Sequence, residues 1–168
     1  MNSCLEKASP KIYQWKFHFP LKAISFQSDK IGRTRSGIIV KYKTEYQKSF
    51  IKQVNANLMD FEVKQKLRQP EAIFDSRKHV FVGHWIFLYD NFFTKDGKNI
   101  NSLNPDLENS KKLIQDILFK HMNLNDRDIC LSEDMKWLGD NQIIFVLKLL
   151  EKNDFQEILK EKITHLLH

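Results

Sequence analysis

The most chemically suggestive stretch runs from Asp106 to Asp128. Glu108, Lys112 and Asp116 are spaced i, i+4 and i+8, with Asp106 just ahead of them. In a helix this spacing puts the three on one face. Further along comes Asn125-Asp126-Arg127-Asp128, directly before an apolar run. A helix start and a loop entering the next strand meet in space if both lie at the same sheet edge. Converging there, Asp106, Glu108 and Asp126 would suit a hard divalent cation such as Mg²⁺, which takes oxygen ligands and keeps several waters. Such an ion polarises a phosphodiester and lowers the pKa of bound water. Lys112, one turn along, would orient a phosphate or neutralise developing charge. The same residues also have a purely structural reading. Acids in a first helical turn are favoured by the helix dipole, Lys112 can pair with Glu108 or Asp116, and Asp126 and Asp128 suit a turn.

The elements that must position these residues follow from hydrophobic period and punctuation. Apolar positions over 12–19 alternate loosely and end at Pro20, which predicts a strand. Residues 22–37 are basic and glycine-punctuated, so a loop or loose hairpin is expected, followed by a short strand over 38–42. Thr44 is a candidate cap for a helix over 44–69, with Tyr46, Phe50, Val54, Leu58 and Phe61 at helical spacing and Pro70 stopping it or following its end. Residues 79–89, rich in Val, Phe, Trp and Ile, predict a central strand. A polar connection leads to a second helix over 105–121. Asn104 is its candidate cap, Pro105 its first residue, and Leu113, Ile114, Ile117, Leu118 and Met122 its buried stripe. Residues 124–128 form a tight acidic loop before a strand over 129–137. A turn at Gly139-Asp140-Asn141 precedes a strand over 143–150, and a closing helix covers 154–167. The expected class is α+β: a small mixed β-sheet with helices packed on one face, all 168 residues in one domain.

Composition narrows the classes. No apolar run approaches the roughly 20 residues that span a bilayer, so no membrane role is expected. The N-terminal stretch lacks the apolar core of a secretory signal. Cys4 and Cys130 are too few for a disulfide framework, which points to a reducing cytoplasm. The net charge of +6 is unevenly spread, with a basic first half and a mildly acidic second half. A basic half fits a polyanionic partner. The best basic patch gathers Lys30, Arg33 and Arg35, with Lys41 and Lys43 behind them, either gripping phosphates or forming a solvated loop. His79 and His84 have no acidic neighbour in sequence and read as structural. Phe92 and Phe93 read as core, as dimer interface, or as a wedge at an open junction.

The run Asp106-Leu107-Glu108-Asn109-Ser110-Lys111-Lys112-Leu113-Ile114-Gln115-Asp116, followed by Asn125-Asp126-Arg127-Asp128-Ile129, resembles the RusA-like family of Holliday junction resolvases. That family's signature is D-x-D-N-x-x-K-x-x-x-D and then D-D-x-Q-hydrophobic. Asp106, Asn109, Lys112, Asp116 and Asp126 match it. Phe19-Pro20-Leu21-Lys22, Ser25, Gln27 and Gly32-Arg33-Thr34 are similar to its N-terminal strand and basic loop, and the likeness spans about residues 13–150. The resemblance implies a homodimeric, Mg²⁺-dependent endonuclease, with Mn²⁺ as a substitute, that nicks a four-way DNA junction in pairs. Asp106, Glu108 and Asp126 would be its metal carboxylates and Lys112 its catalytic cation. Lys112 would also contact DNA, alongside Lys30, Arg33 and Arg35. Glu108 departs from the family's Asp by one methylene, Asn125 replaces an Asp, and Pro105 stands where a basic residue is usual. A non-catalytic nucleic-acid-binding module that keeps the family fold is the competing expectation, and a purely structural interaction protein is a third.

Overall fold

The structure is a computed structural model and describes residues 12–24, 30–93, 95 and 107–167. Its elements are β1 (Tyr13–Phe19), β2 (Lys30–Arg33), β3 (Ile39–Tyr42), α1 (Glu45–Leu58), α2 (Phe61–Ile73), β4 (His79–Tyr89), α3 (Leu107–Met122), β5 (Ile129–Leu138), β6 (Gln142–Glu151) and α4 (Lys152–Leu167). A 3₁₀ turn over Asp126–Asp128 joins α3 to β5. The expected mixed α+β architecture is what forms. Four strands make the main sheet in the order β1-β6-β4-β5, and β2 and β3 make a separate antiparallel hairpin. β4 pairs antiparallel with β6 and parallel with β5, so β4-α3-β5 is a crossover unit.

Strand alternation separates the two sheet faces. Phe81, Trp85, Phe87 and Tyr89 of β4 point one way, together with Phe145 and Leu147 of β6 and Trp15 and Phe17 of β1. α1, α2 and α3 cover this face with Phe50, Val54, Leu58, Leu67, Ile114 and Leu118. Trp85 and Phe145 stack at its centre, ring centroids 4.1 Å apart. Val80, Val82 and Leu150 point to the other face, where Phe155 and Ile158 of α4 pack on them. The closing helix therefore departs from the one-face expectation. Just before the final residue of β6, Leu149 and Leu150 are consecutive buried residues that serve opposite faces. α4 begins immediately after β6 and shields the second.

The first helical run is broken where a single helix was expected. Thr44 caps α1 as predicted. Its Oγ1 accepts from the Gln47 N–H at 3.2 Å, and the Thr44 N–H donates to Gln47 Oε1 at 2.9 Å. This reciprocal bond accounts for Gln47 being buried. Asp60 then opens α2, its Oδ1 accepting from the Glu62 and Val63 N–H groups. Leu58 and Phe61 keep a helical spacing across the break, so the apolar period conceals it. Pro70 does not stop the chain. α2 runs through it to Ile73, and the Pro70 carbonyl accepts from the Phe74 N–H at 3.0 Å. So near the helix end, the proline forfeits one backbone bond.

The turn after β5 does not make a hairpin with β6. Residues 139–141 cross the end of β4, with the Gly139 N–H donating to the Tyr89 carbonyl at 3.1 Å. A Cβ at Gly139 would lie 3.3 Å from Leu88 Cβ, so this crossing favours glycine. Among the described residues, β5 is thereby left at the edge of the sheet.

Candidate active site

The acidic helix lies where the sequence pattern predicts it, over Leu107–Met122. Leu113, Ile114, Leu118 and Met122 are buried in the core, and Ile117 is half-buried against it. Glu108, Lys112 and Asp116 are exposed on the helix's solvent side. Asp106 lies outside the described residues, as do Asn104 and Pro105.

The structure does not bring Glu108 and Asp126 together within one chain. α3 rises about 1.5 Å per residue, so roughly 21 Å of helix axis separates Glu108 from Met122. Asn123 then adopts a left-handed conformation, φ 53°, and the Leu124 N–H donates back to the Phe119 carbonyl at 3.0 Å. The 3₁₀ turn carrying Asp126 follows at once, at the C-terminal end of α3. Glu108 sits at the opposite end. Among the described residues, no group of three or more His, Cys, Asp or Glu side chains is placed to hold a metal ion. Of the carboxylates implied for Mg²⁺, the two that lie among the described residues, Glu108 and Asp126, are thus at opposite ends of α3.

The turn itself is built by its own acids and amide. Asn125 Oδ1 accepts from the Arg127 N–H at 3.1 Å, and the Asn125 N–H donates to Asp128 Oδ2 at 3.2 Å. Asn125 and Asp128 are engaged in capping. Asp126 is exposed and has no such part in the box.

Two side-chain clusters were not legible in the sequence. On the α3 side of the sheet, Lys111 Nζ donates to Asp134 Oδ2 at 2.7 Å and to Ser132 Oγ at 3.2 Å, and Ser132 Oγ donates to Asp134 Oδ1 at 3.0 Å. Lys111, the neighbour of the expected Lys112, is thus the lysine that docks the helix on β5. Ser132 and Asp134 share a face because they are two apart in a strand. On the other side, His84 Nδ1 lies 2.8 Å from Glu133 Oε2, and Lys162 of α4 pairs with the same carboxylate. The parallel register sets His84 beside Glu133, so the acidic partner missing in sequence is supplied by the neighbouring strand. Burial, and then the charges of Lys148 and Lys162, hold the His84 imidazole below its ordinary pKa of 6.5. His79 is structural: its Nδ1 accepts from the Asp75 N–H at 3.1 Å.

The basic patch rides on the β2–β3 hairpin. Arg33 and Arg35 are exposed there. The loop between the strands closes through the Gly37 N–H to the Thr34 carbonyl at 2.9 Å, with Gly37 at φ +80°. Lys30 belongs to β2 by its backbone. Phe92 is buried and meets Phe93 edge-on at 5.0 Å, while Phe93 is partly exposed.

Neither a scan of protein families nor a comparison with curated proteins returns a match for this chain. Among the described residues, no helix is long and apolar enough to cross a membrane.

Proposed function

We propose that this chain is a Mg²⁺-dependent endodeoxyribonuclease that nicks four-way DNA junctions and works as a homodimer. The observation that carries the reading is the exposed row Glu108, Lys112 and Asp116 on α3, which falls within the stretch resembling the RusA-like signature. Its stem, Leu113, Ile114 and Leu118, is locked in the core, so the row is held on a rigid element. The exposed Arg33 and Arg35 hairpin supports a phosphate-binding surface, since each neutralised phosphate releases counterions.

A second reading is favoured by the separation of Glu108 from Asp126: a nucleic-acid-binding module of the same fold without cleavage. One assay separates the two. Labelled four-way, duplex and single-stranded DNA are incubated with the full chain, with and without Mg²⁺. Mg²⁺-dependent nicks in the junction support the nuclease. Salt-sensitive binding with no nicks supports the binding module, and no binding at all overturns both.

A further inference from the structure

The sheet face under α4 carries a charged cleft that neither the acidic row nor the basic hairpin uses. We propose that this cleft binds a small carboxylate with an apolar tail, its carboxylate held by Lys148 and Lys162 and its tail laid on the sheet beneath α4. Such binding is independent of any action on nucleic acid.

The strand registers build the cleft. Leu131, Val82 and Lys148 lie side by side on β5, β4 and β6, and Glu133 and His84 form the next row on β5 and β4. Residues two apart along a strand share a face, so both rows point toward α4. Ile158 and Lys162, one turn apart on α4, line the cleft from the helix side. Val82 and Leu150 are buried, and Leu131 and Ile158 pack against them as an apolar lining. The cleft measures about 290 Å³. This is the small end of ligand pockets, which run from about 300 to 1,000 Å³.

Charge decides what such a space takes. Lys162 pairs with Glu133, which also meets His84. Among the described residues, Lys148 is in no ion pair. It is half-buried, and an ammonium drawn partly out of water is stabilised by a counter-charge. Of the charged groups lining the cleft, two ammonium groups thus face one carboxylate, which leaves one positive charge over. Both lysines act on the same small volume. After burial, Lys148 and then Lys162 hold the His84 imidazole below its ordinary pKa.

A carboxylate supplies one negative charge and two accepting oxygens, and a lysine ammonium has three donors. The ligand can therefore accept from Lys148 and from the donors of Lys162 that Glu133 does not use. A phosphate monoester brings close to two negative charges, and Glu133 opposes the second. An apolar lining with one charge to balance selects an amphiphilic monoanion over a sugar phosphate or a nucleotide.

Isothermal titration calorimetry of the full chain with sodium octanoate, 1-octanol and octyl phosphate tests this. Octanoate is expected to bind at one site per chain, more tightly than either of the others. Hexanoate should bind more weakly, by up to about fourfold for each methylene removed. Lys148→Met loses a charge-assisted hydrogen bond and should weaken octanoate binding roughly tenfold or more. Lys148→Arg should keep it, so that the loss reports charge and not packing. Proton NMR adds a signature at the site. Bound octanoate should raise the titration of the imidazole whose signal is missing in His84→Gln, and 1-octanol should not. No octanoate binding overturns the proposal. Equal affinity for octanoate and 1-octanol, tighter binding of octyl phosphate, or octanoate affinity that survives Lys148→Met overturns it as well.

Discussion

Lys111 Nζ lies 2.7 Å from Asp134 Oδ2, with 19% of each side chain exposed. This contact ties the first turns of α3 to the edge strand β5. Removing either partner leaves a largely buried group without its counter-charge, which costs about 1–3 kcal/mol. Lys111→Met and Asp134→Asn are each expected to lower the urea midpoint accordingly. The double variant should lose less than the sum, since the interaction can be removed only once. Additive losses would show that the pair contributes nothing of its own.

His84 gives the fold a pH dependence of definite sign. Its folded pKa lies below the ordinary 6.5, so the unfolded chain takes up this proton first. The stabilisation is complete above about pH 6.5 and is lost as pH falls through the interval down to the folded value. Thermal unfolding of the wild type should shift downward between pH 7.5 and 5.5 by more than that of His84→Gln. Equal shifts in the two proteins would place the titration elsewhere.

The hairpin arginines are expected to act on affinity and not on sequence choice. Arg33→Ala with Arg35→Ala should weaken binding to all DNA about equally. The slope of log affinity against log salt should drop by roughly 0.9 for each phosphate that is no longer neutralised in B-form arms. Circular dichroism checks that the hairpin change leaves the fold intact. An unchanged slope would move the DNA surface away from the hairpin.

Glu108 is the sharpest single test of the acidic row. Glu108→Asp, one methylene shorter, should keep or raise nicking. Glu108→Gln keeps the size and removes the charge, and should abolish Mg²⁺-dependent nicking while junction binding survives. Asp106→Asn and Asp126→Asn should behave as Glu108→Gln does. If Glu108→Gln nicks at the wild-type rate, Glu108 serves the helix dipole alone.

Much of this molecule is written in local order. The Val, Phe, Trp and Ile content of residues 79–89, the Leu113, Ile114, Leu118 and Met122 stripe, and the Thr44 cap each depend on neighbours within one element. Their content, period or side-chain chemistry is therefore visible in the chain itself. The break at Asp60 was signalled only by a capping side chain, because the apolar spacing ran on across it. Partners across the sheet carry no such local mark. Which strand lies beside β4 set His84 against Glu133, and which way β5 returns along α3 set Lys111 on Asp134. The same return placed Glu108 and Asp126 at opposite ends of one helix. Spacing along a chain encodes faces of an element, but distances between elements come from packing the whole core, and only the tertiary structure decided them.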